Sequence, residues 1–202
     1  PGVHSITFVA TDTTGLIADD LISFRVNTPP VVDSVSLAPD PTYSTNNLVA
    51  SASMSDTDGQ NPTATYAWYE NGILTSNTGT TVPSTELDVG ETWTVRVTPN
   101  DGYVDGIHLE ASITISNSAP TISSATITSS DGVNTYNDST LTCSATATDP
   151  DEVLSATYSW TINGYTATGA TVDLSNYSLT VGDVVQCEAL VTDSQGATAS
   201  SS

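Results

Sequence analysis

The sequence predicts an all-β fold made of tandem β-sandwiches, each about 90 residues long. Two observations carry that expectation. Short runs of Val, Ile, Thr and Tyr alternate with polar residues and are separated by Gly, Asn, Asp and Pro, and nothing reads as a long amphipathic helix. The chain also repeats itself. Pro1-Gly2-Val3-His4-Ser5-Ile6-Thr7-Phe8-Val9-Ala10-Thr11-Asp12 is echoed by Val89-Gly90-Glu91-Thr92-Trp93-Thr94-Val95-Arg96-Val97, and again by Val181-Gly182-Asp183-Val184-Val185-Gln186-Cys187-Glu188-Ala189. Asn27-Thr28-Pro29-Pro30 recurs as Asn117-Ser118-Ala119-Pro120.

The elements follow in order. Residues 1–27 read as the last hairpin, strands F and G, of an upstream sandwich, turning at Asp12-Thr13-Thr14-Gly15. The adjacent prolines Pro29 and Pro30 fix φ and mark a stiff boundary. Residues 28–116 form the next sandwich, with strands at 32–37, 48–55, 65–70, 92–98 and 109–115. Asn71-Gly72 is a two-residue hairpin signal of type I′. Residues 117–202 repeat the scheme, with Asn163-Gly164 at the same hairpin and a last strand that is short or cut. Both ends fall inside repeats, which suggests a piece of a longer array. The alternative for residues 1–27 is strand exchange with another copy.

Cys143, Trp160 and Cys187 fall on three strands that alternation turns inward. A Cys, a Trp and a Cys on strands B, C and F is the immunoglobulin pattern. It predicts a Cys143–Cys187 bridge across the sandwich and an oxidising compartment; the alternative is two buried thiols acting as small hydrophobes. The preceding repeat has Ala50 and Val95 at those positions, keeps Trp68 where Trp160 falls, and adds an inward Trp93 to its core.

Trp93-Thr94-Val95-Arg96-Val97-Thr98-Pro99-Asn100-Asp101-Gly102 and Tyr66-Ala67-Trp68-Tyr69-Glu70-Asn71-Gly72 resemble the tandem Ig-like repeats of large bacterial and archaeal surface proteins. Thr11-Asp12 and Asp56-Thr57-Asp58-Gly59 resemble PKD-like and cadherin-like modules. The resemblance spans essentially the whole chain. It implies tandem immunoglobulin-like domains in an extracellular setting, with neighbouring repeats as partners.

The charge balance narrows function. There are 23 Asp and Glu against 2 Lys and Arg, a net charge of −21. Such a surface repels phosphate backbones and disfavours anionic membrane surfaces, so nucleic-acid binding is not expected. No apolar run is long enough to cross a bilayer, so membrane insertion of this segment is not expected either. It suits a salty medium or divalent cations. The acids gather in loops that a sandwich of this type places at its entering end. Asp56, Asp58, Asn100, Asp101 and Asp105 are the candidates in the middle domain. Asp149, Asp151, Glu152 and Asp193 are those in the last. Hard oxygens beside Gly suit Ca²⁺, although Asp is also simply a good turn residue.

No zinc spacing, nucleophile elbow, phosphate loop or dinucleotide fingerprint is present. His4 and His108 have no matched partners. Two sequons, Asn137-Asp138-Ser139 and Asn176-Tyr177-Ser178, would accept N-glycans in a suitable source. The expectation is a non-catalytic extracellular spacer or stalk in a surface protein or filament. The alternatives are a glycan- or protein-binding module of an adhesin or enzyme, and a filament subunit joined by exchanged strands. A glycan platform needs exposed, coplanar aromatic rings; alternation turns Tyr66 and Trp68 inward and leaves Tyr69 and Tyr103 as candidates.

Overall fold

The computed structural model describes residues 3–202. The first two residues of the leading echo, Pro1 and Gly2, lie outside them. Nearly every ordered element is a strand, and the chain divides after Ser116 into two compact units.

The first unit begins with a hairpin. β1 (Val3–Thr11) pairs antiparallel with β2 (Ile17–Arg25), from Val3 opposite Arg25 to Thr11 opposite Ile17. The second strand, expected from its apolar run over 21–26, starts earlier, at Ile17, because the register carries pairing up to the Asp12 turn. There follow β3 (Val31–Ala38), β4 (Thr42–Tyr43), β5 (Leu48–Ser55), β6 (Thr63–Glu70), β7 (Ile73–Leu74), β8 (Thr81–Val82), β9 (Thr92–Asn100) and β10 (Leu109–Ser116). One sheet has the order β3-β5-β8. The other has the order β4-β10-β9-β6-β7, with β4 parallel to β10.

The second unit holds β11 (Thr121–Ile122), β12 (Thr126–Ser129), β13 (Thr140–Ser144), β14 (Ala147–Thr148), β15 (Thr157–Ile162), β16 (Tyr165–Thr168), β17 (Thr171–Asp173), β18 (Val185–Thr192) and β19 (Thr198–Ser201). Its sheets run β12-β13-β17 and β16-β15-β18-β19, with a small β11-β14 pair beside them. Leu141 and Cys143 share a face of β13, but that strand ends at Ser144. Ala145 and Ala147 are therefore not its continuation, and Ala147 pairs instead with Ile122.

Local chemistry sets the turns. Asn71 and Gly72 sit at φ 49° and 84°, and Asn163 and Gly164 at φ 43° and 89°. Left-handed backbone at both central residues defines a I′ hairpin, which Asn and Gly tolerate best.

Each unit buries its own core between its two larger sheets. In the first, Val32, Leu48, Ala50 and Val82 face Trp68, Trp93, Val95, Val97 and Ile115. In the second, Leu141, Cys143 and Val172 face Trp160, Ile162 and Cys187. The register matches the two units residue by residue. Trp68 lies opposite Val95 as Trp160 lies opposite Cys187. The Ala50 and Cys143 amides donate to Thr80 and Ala170 carbonyls alike. Each matched indole also donates to a glycine carbonyl, Trp68 to Gly79 at 2.9 Å and Trp160 to Gly169 at 2.8 Å. Burying an indole N–H unpaired would be costly, so the same acceptor recurs.

Candidate functional site

The Asp residues of the β9–β10 and β18–β19 connections are nearly buried, Asp101 at 8 % exposure and Asp193 at 5 %. Each folds its own turn. Asp101 Oδ1 accepts from the Tyr103 and Val104 amides at 2.8 and 2.9 Å; Asp193 Oδ1 accepts from the Gln195 and Ala197 amides at 3.0 and 2.7 Å. The other oxygen receives an asparagine from the segment that enters the sandwich. Asn27 Nδ2 donates to Asp101 Oδ2 at 2.8 Å, and Asn117 Nδ2 to Asp193 Oδ2 at 2.8 Å.

A second acid holds the next residue. The Thr28 amide donates to Asp58 Oδ2 at 2.5 Å, and the Ser118 amide to Asp151 Oδ2 at 2.7 Å. A third acid holds the second: the Asp58 amide donates to Asp56 Oδ1 at 2.6 Å, and the Asp151 amide to Asp149 Oδ1 at 2.7 Å. The same clamp thus occurs in both units, on residues far apart in sequence. Most of these bonds have a charged acceptor, the stronger class.

The electrostatics follow. The Asp101 carboxyl is held below its ordinary range, chiefly by the turn amide of Val104 and then by Asn27, against the opposing effect of burial. Asp193 is likewise lowered, first by Asn117 and then by its turn amides.

The predicted site residues sort into those the clamp uses and those it does not. Asp56, Asp58 and Asp101 join through Asn27 and Thr28. Asn100 and Asp105 do not join them: Asn100 Nδ2 donates to Asp105 Oδ1 at 2.7 Å and Asn100 Oδ1 accepts from Gly102, closing an exposed turn. In the second unit Asp149, Asp151 and Asp193 form the clamp. Glu152 stitches its two loops by accepting from the Ser194 amide at 2.7 Å.

Two participants were not legible beforehand. Gln60 Nε2 donates to Asn27 Oδ1 at 2.9 Å, bracing the linker asparagine from its other side. Gly106 packs so tightly on Pro30 that an added Cβ would collide with the Pro30 carbonyl. Only the entering segment, Asn27 for Gln60 and Pro30 for Gly106, reveals either role. The repetition of Asn before Pro was the available signal for Asn27 and Asn117.

Among the described residues, four buried oxygens near these clamps have no protein partner: Asp56 Oδ2, Asp58 Oδ1 and Gln60 Oε1 in the first unit, and Asp149 Oδ2 in the second. Orphaned buried acceptors are rare and call for a donor or an ion. Hard oxygens of carboxylate and amide type fit Ca²⁺ chemistry. Among the described residues no group of three or more His, Cys, Asp or Glu side chains is arranged to hold a metal ion.

The bridge between Cys143 and Cys187 forms, with Cα atoms 6.4 Å apart. Trp68, Trp93 and Trp160 are all fully enclosed. Tyr69 lies under Arg96, whose guanidinium carbon is 5.0 Å from the ring centre, and Tyr103 is exposed. Tyr165 and Tyr177 meet at 5.9 Å but are tilted by 55°. Of the two sequons, Ser139 is fully buried and its hydroxyl donates to Asp131, whereas Asn176 and Ser178 are exposed.

No family model matches the chain, and no curated protein does. Among solved structures, it is similar to one described for host cell surface retention of a 1.5-MDa bacterial ice-binding adhesin. The identity is 19 % and the TM-score 0.36, over 98 % of this chain and 71 % of that one. It is also similar to a Ca²⁺-stabilised adhesin that helps an Antarctic bacterium reach out and bind ice. There the identity is 20 % and the TM-score 0.33, over 98 % of this chain and 55 % of that one.

Proposed function

We propose that this chain is a non-catalytic extracellular segment of tandem Ig-like repeats, working as a spacer or stalk in a surface protein or filament. The observation that carries the reading is the recurring clamp. Twice, the segment entering a sandwich is fastened by its Asn side chain and its next amide to two acids of that sandwich. A catalytic centre has no need of such repetition; a stalk does, because every joint must resist bending. The disulfide suits an oxidising exterior, and the acidic surface suits solubility there.

Calcium belongs to the same reading. Asp56, Asp58 and Gln60 would hold it in the first unit, where three of the unpartnered buried oxygens lie. When bound, the ion supplies positive charge that neutralises carboxylates packed against one another. The clamp residues themselves restrain the entering segment whether or not an ion is present.

Two measurements test this. Antibodies raised against the segment should label intact, unpermeabilised cells; labelling only after lysis would overturn the extracellular assignment. Calorimetric melts in Ca²⁺, in EDTA and in Mg²⁺ at fixed ionic strength test the ion. A ligand at one hundred times its Kd adds about 2.7 kcal/mol to the folded state. A melt unchanged by EDTA removes calcium from the account.

A further inference from the structure

The β1–β2 hairpin exposes a face that its two counterparts bury. The Asp12 turn identifies those counterparts. Asp12 Oδ1 accepts from the Thr14 and Leu16 amides at 2.7 and 3.0 Å, two and four residues on, as Asp193 does from Gln195 and Ala197. Asp101, matched to Asp193 by the clamp, takes its second amide one residue sooner, from Val104. The Gly15 and Gly196 amides close their turns on the Asp12 and Asp193 carbonyls alike. Asp12 is therefore equivalent to Asp101 and Asp193, one residue off the register that the leading echo suggests. A one-residue slip exchanges the two faces of a strand, so the correction decides which face points inward.

With it, Ile6 matches Val95 and Cys187, and Phe8 matches Val97 and Ala189. Those four counterparts are 0–3 % exposed; Ile6 is 49 % exposed and Phe8 57 %. Across the ladder, Ile22 pairs with Ile6 and Phe24 with His4. They match Ala111 and Ile113, and are themselves 52 % and 44 % exposed. The hairpin thus carries half of a core. It has no Trp at the Trp93 position, where His4 stands, but Phe8 and Phe24 restore the aromatic volume. Two strands alone are marginal in water.

We infer that this even-numbered face is covered by the remaining strands of another sandwich of the same repeat class. That partner brings an inward Trp like Trp68 and Trp160, and a linker Asn that donates to Asp12. Both covered hairpins in this chain are covered by strands that precede them, and both receive such an Asn. The inference rests on the array reading, yet it can fail while intact-cell labelling succeeds.

The test places a second copy of residues 27–91, which carries Asn27 and strands β3–β8, directly ahead of Val3 in the full chain. A parallel chain uses residues 117–183 with Cys143→Val. At least one should gain an additional cooperative melting transition. Phe8→Asp should abolish that transition, and Thr7→Asp, on the opposite face, should leave it. Absence of the transition in both chains overturns the inference. So does a dimer of the unextended chain, seen by light scattering, that Phe8→Asp dissociates and Thr7→Asp does not, since a second copy would then be the cover.

Discussion

The two sandwiches reach the same core geometry by different means. In the second unit, Cys143 and Cys187 tie the sheets covalently beside Trp160. In the first, Ala50 and Val95 stand at those positions, and Trp93 meets Trp68 edge to face at 6.4 Å. Trp93 is 1 % exposed and its indole donates to Glu91 at 3.0 Å. One unit restrains its unfolded chain; the other adds apolar area and a favourable aromatic pairing. A strand position can thus give up its cross-link if a neighbouring inward position takes on bulk.

The largest break in this comparison is Trp93→Ala. Deleting a buried aromatic costs about 4 kcal/mol. The first unit should lose its calorimetric transition or shift it far down, with the second unchanged. Cys143→Ala with Cys187→Ala should cost the second unit about 3 kcal/mol and spare the first. A bridge engineered by Ala50→Cys with Val95→Cys sharpens the point. Free-thiol titration should show it closed, but the gain should stay under about 2 kcal/mol, because Trp93 already fills the space beside it.

The clamps invite a smaller contrast. Asn27 both donates to Asp101 and accepts from Gln60, whereas Asn117 donates to Asp193. Asn27→Ala should destabilise its unit by about 2 kcal/mol and Asn117→Ala by about 1, read by denaturant midpoints. Acid gives the smallest effect. Asp101 and Asp193 have folded-state values below their ordinary range. Their contribution is complete above the unfolded carboxylate range, about pH 4, and fades as pH falls through the lowered folded values. Melting temperatures from pH 5 downward should fall less steeply in Asn27→Ala and Asn117→Ala chains than in the parent.

Much of the architecture was legible because strand periodicity, Asn-Gly turns and the Cys–Trp–Cys pattern are local or nearly so. Leu48–Ser55 is a strand with the bounds its sequence suggests. The candidate site was legible only in part. Asp-rich loops announce themselves, but Asn100 and Asp105 look as promising in sequence as Asp56 and Asp58. The fold spends the first pair on its own turn, whereas Asp58 holds the entering segment and Asp56 holds Asp58. Gln60 carries no motif, and its part depends on a residue 33 positions away.

By itself the sequence determined the strand-rich composition, the acidic surface, the turns and the inward cysteines, since each depends on neighbours along the chain. Tertiary structure decided the rest. Which acid meets which amide, which glycine admits Pro30, and which face of the first hairpin matches a buried core all depend on strand register. A shift of one residue there exchanges inside for outside. The leading echo mistook that register by one position, and the turn hydrogen bonds of Asp12 set it.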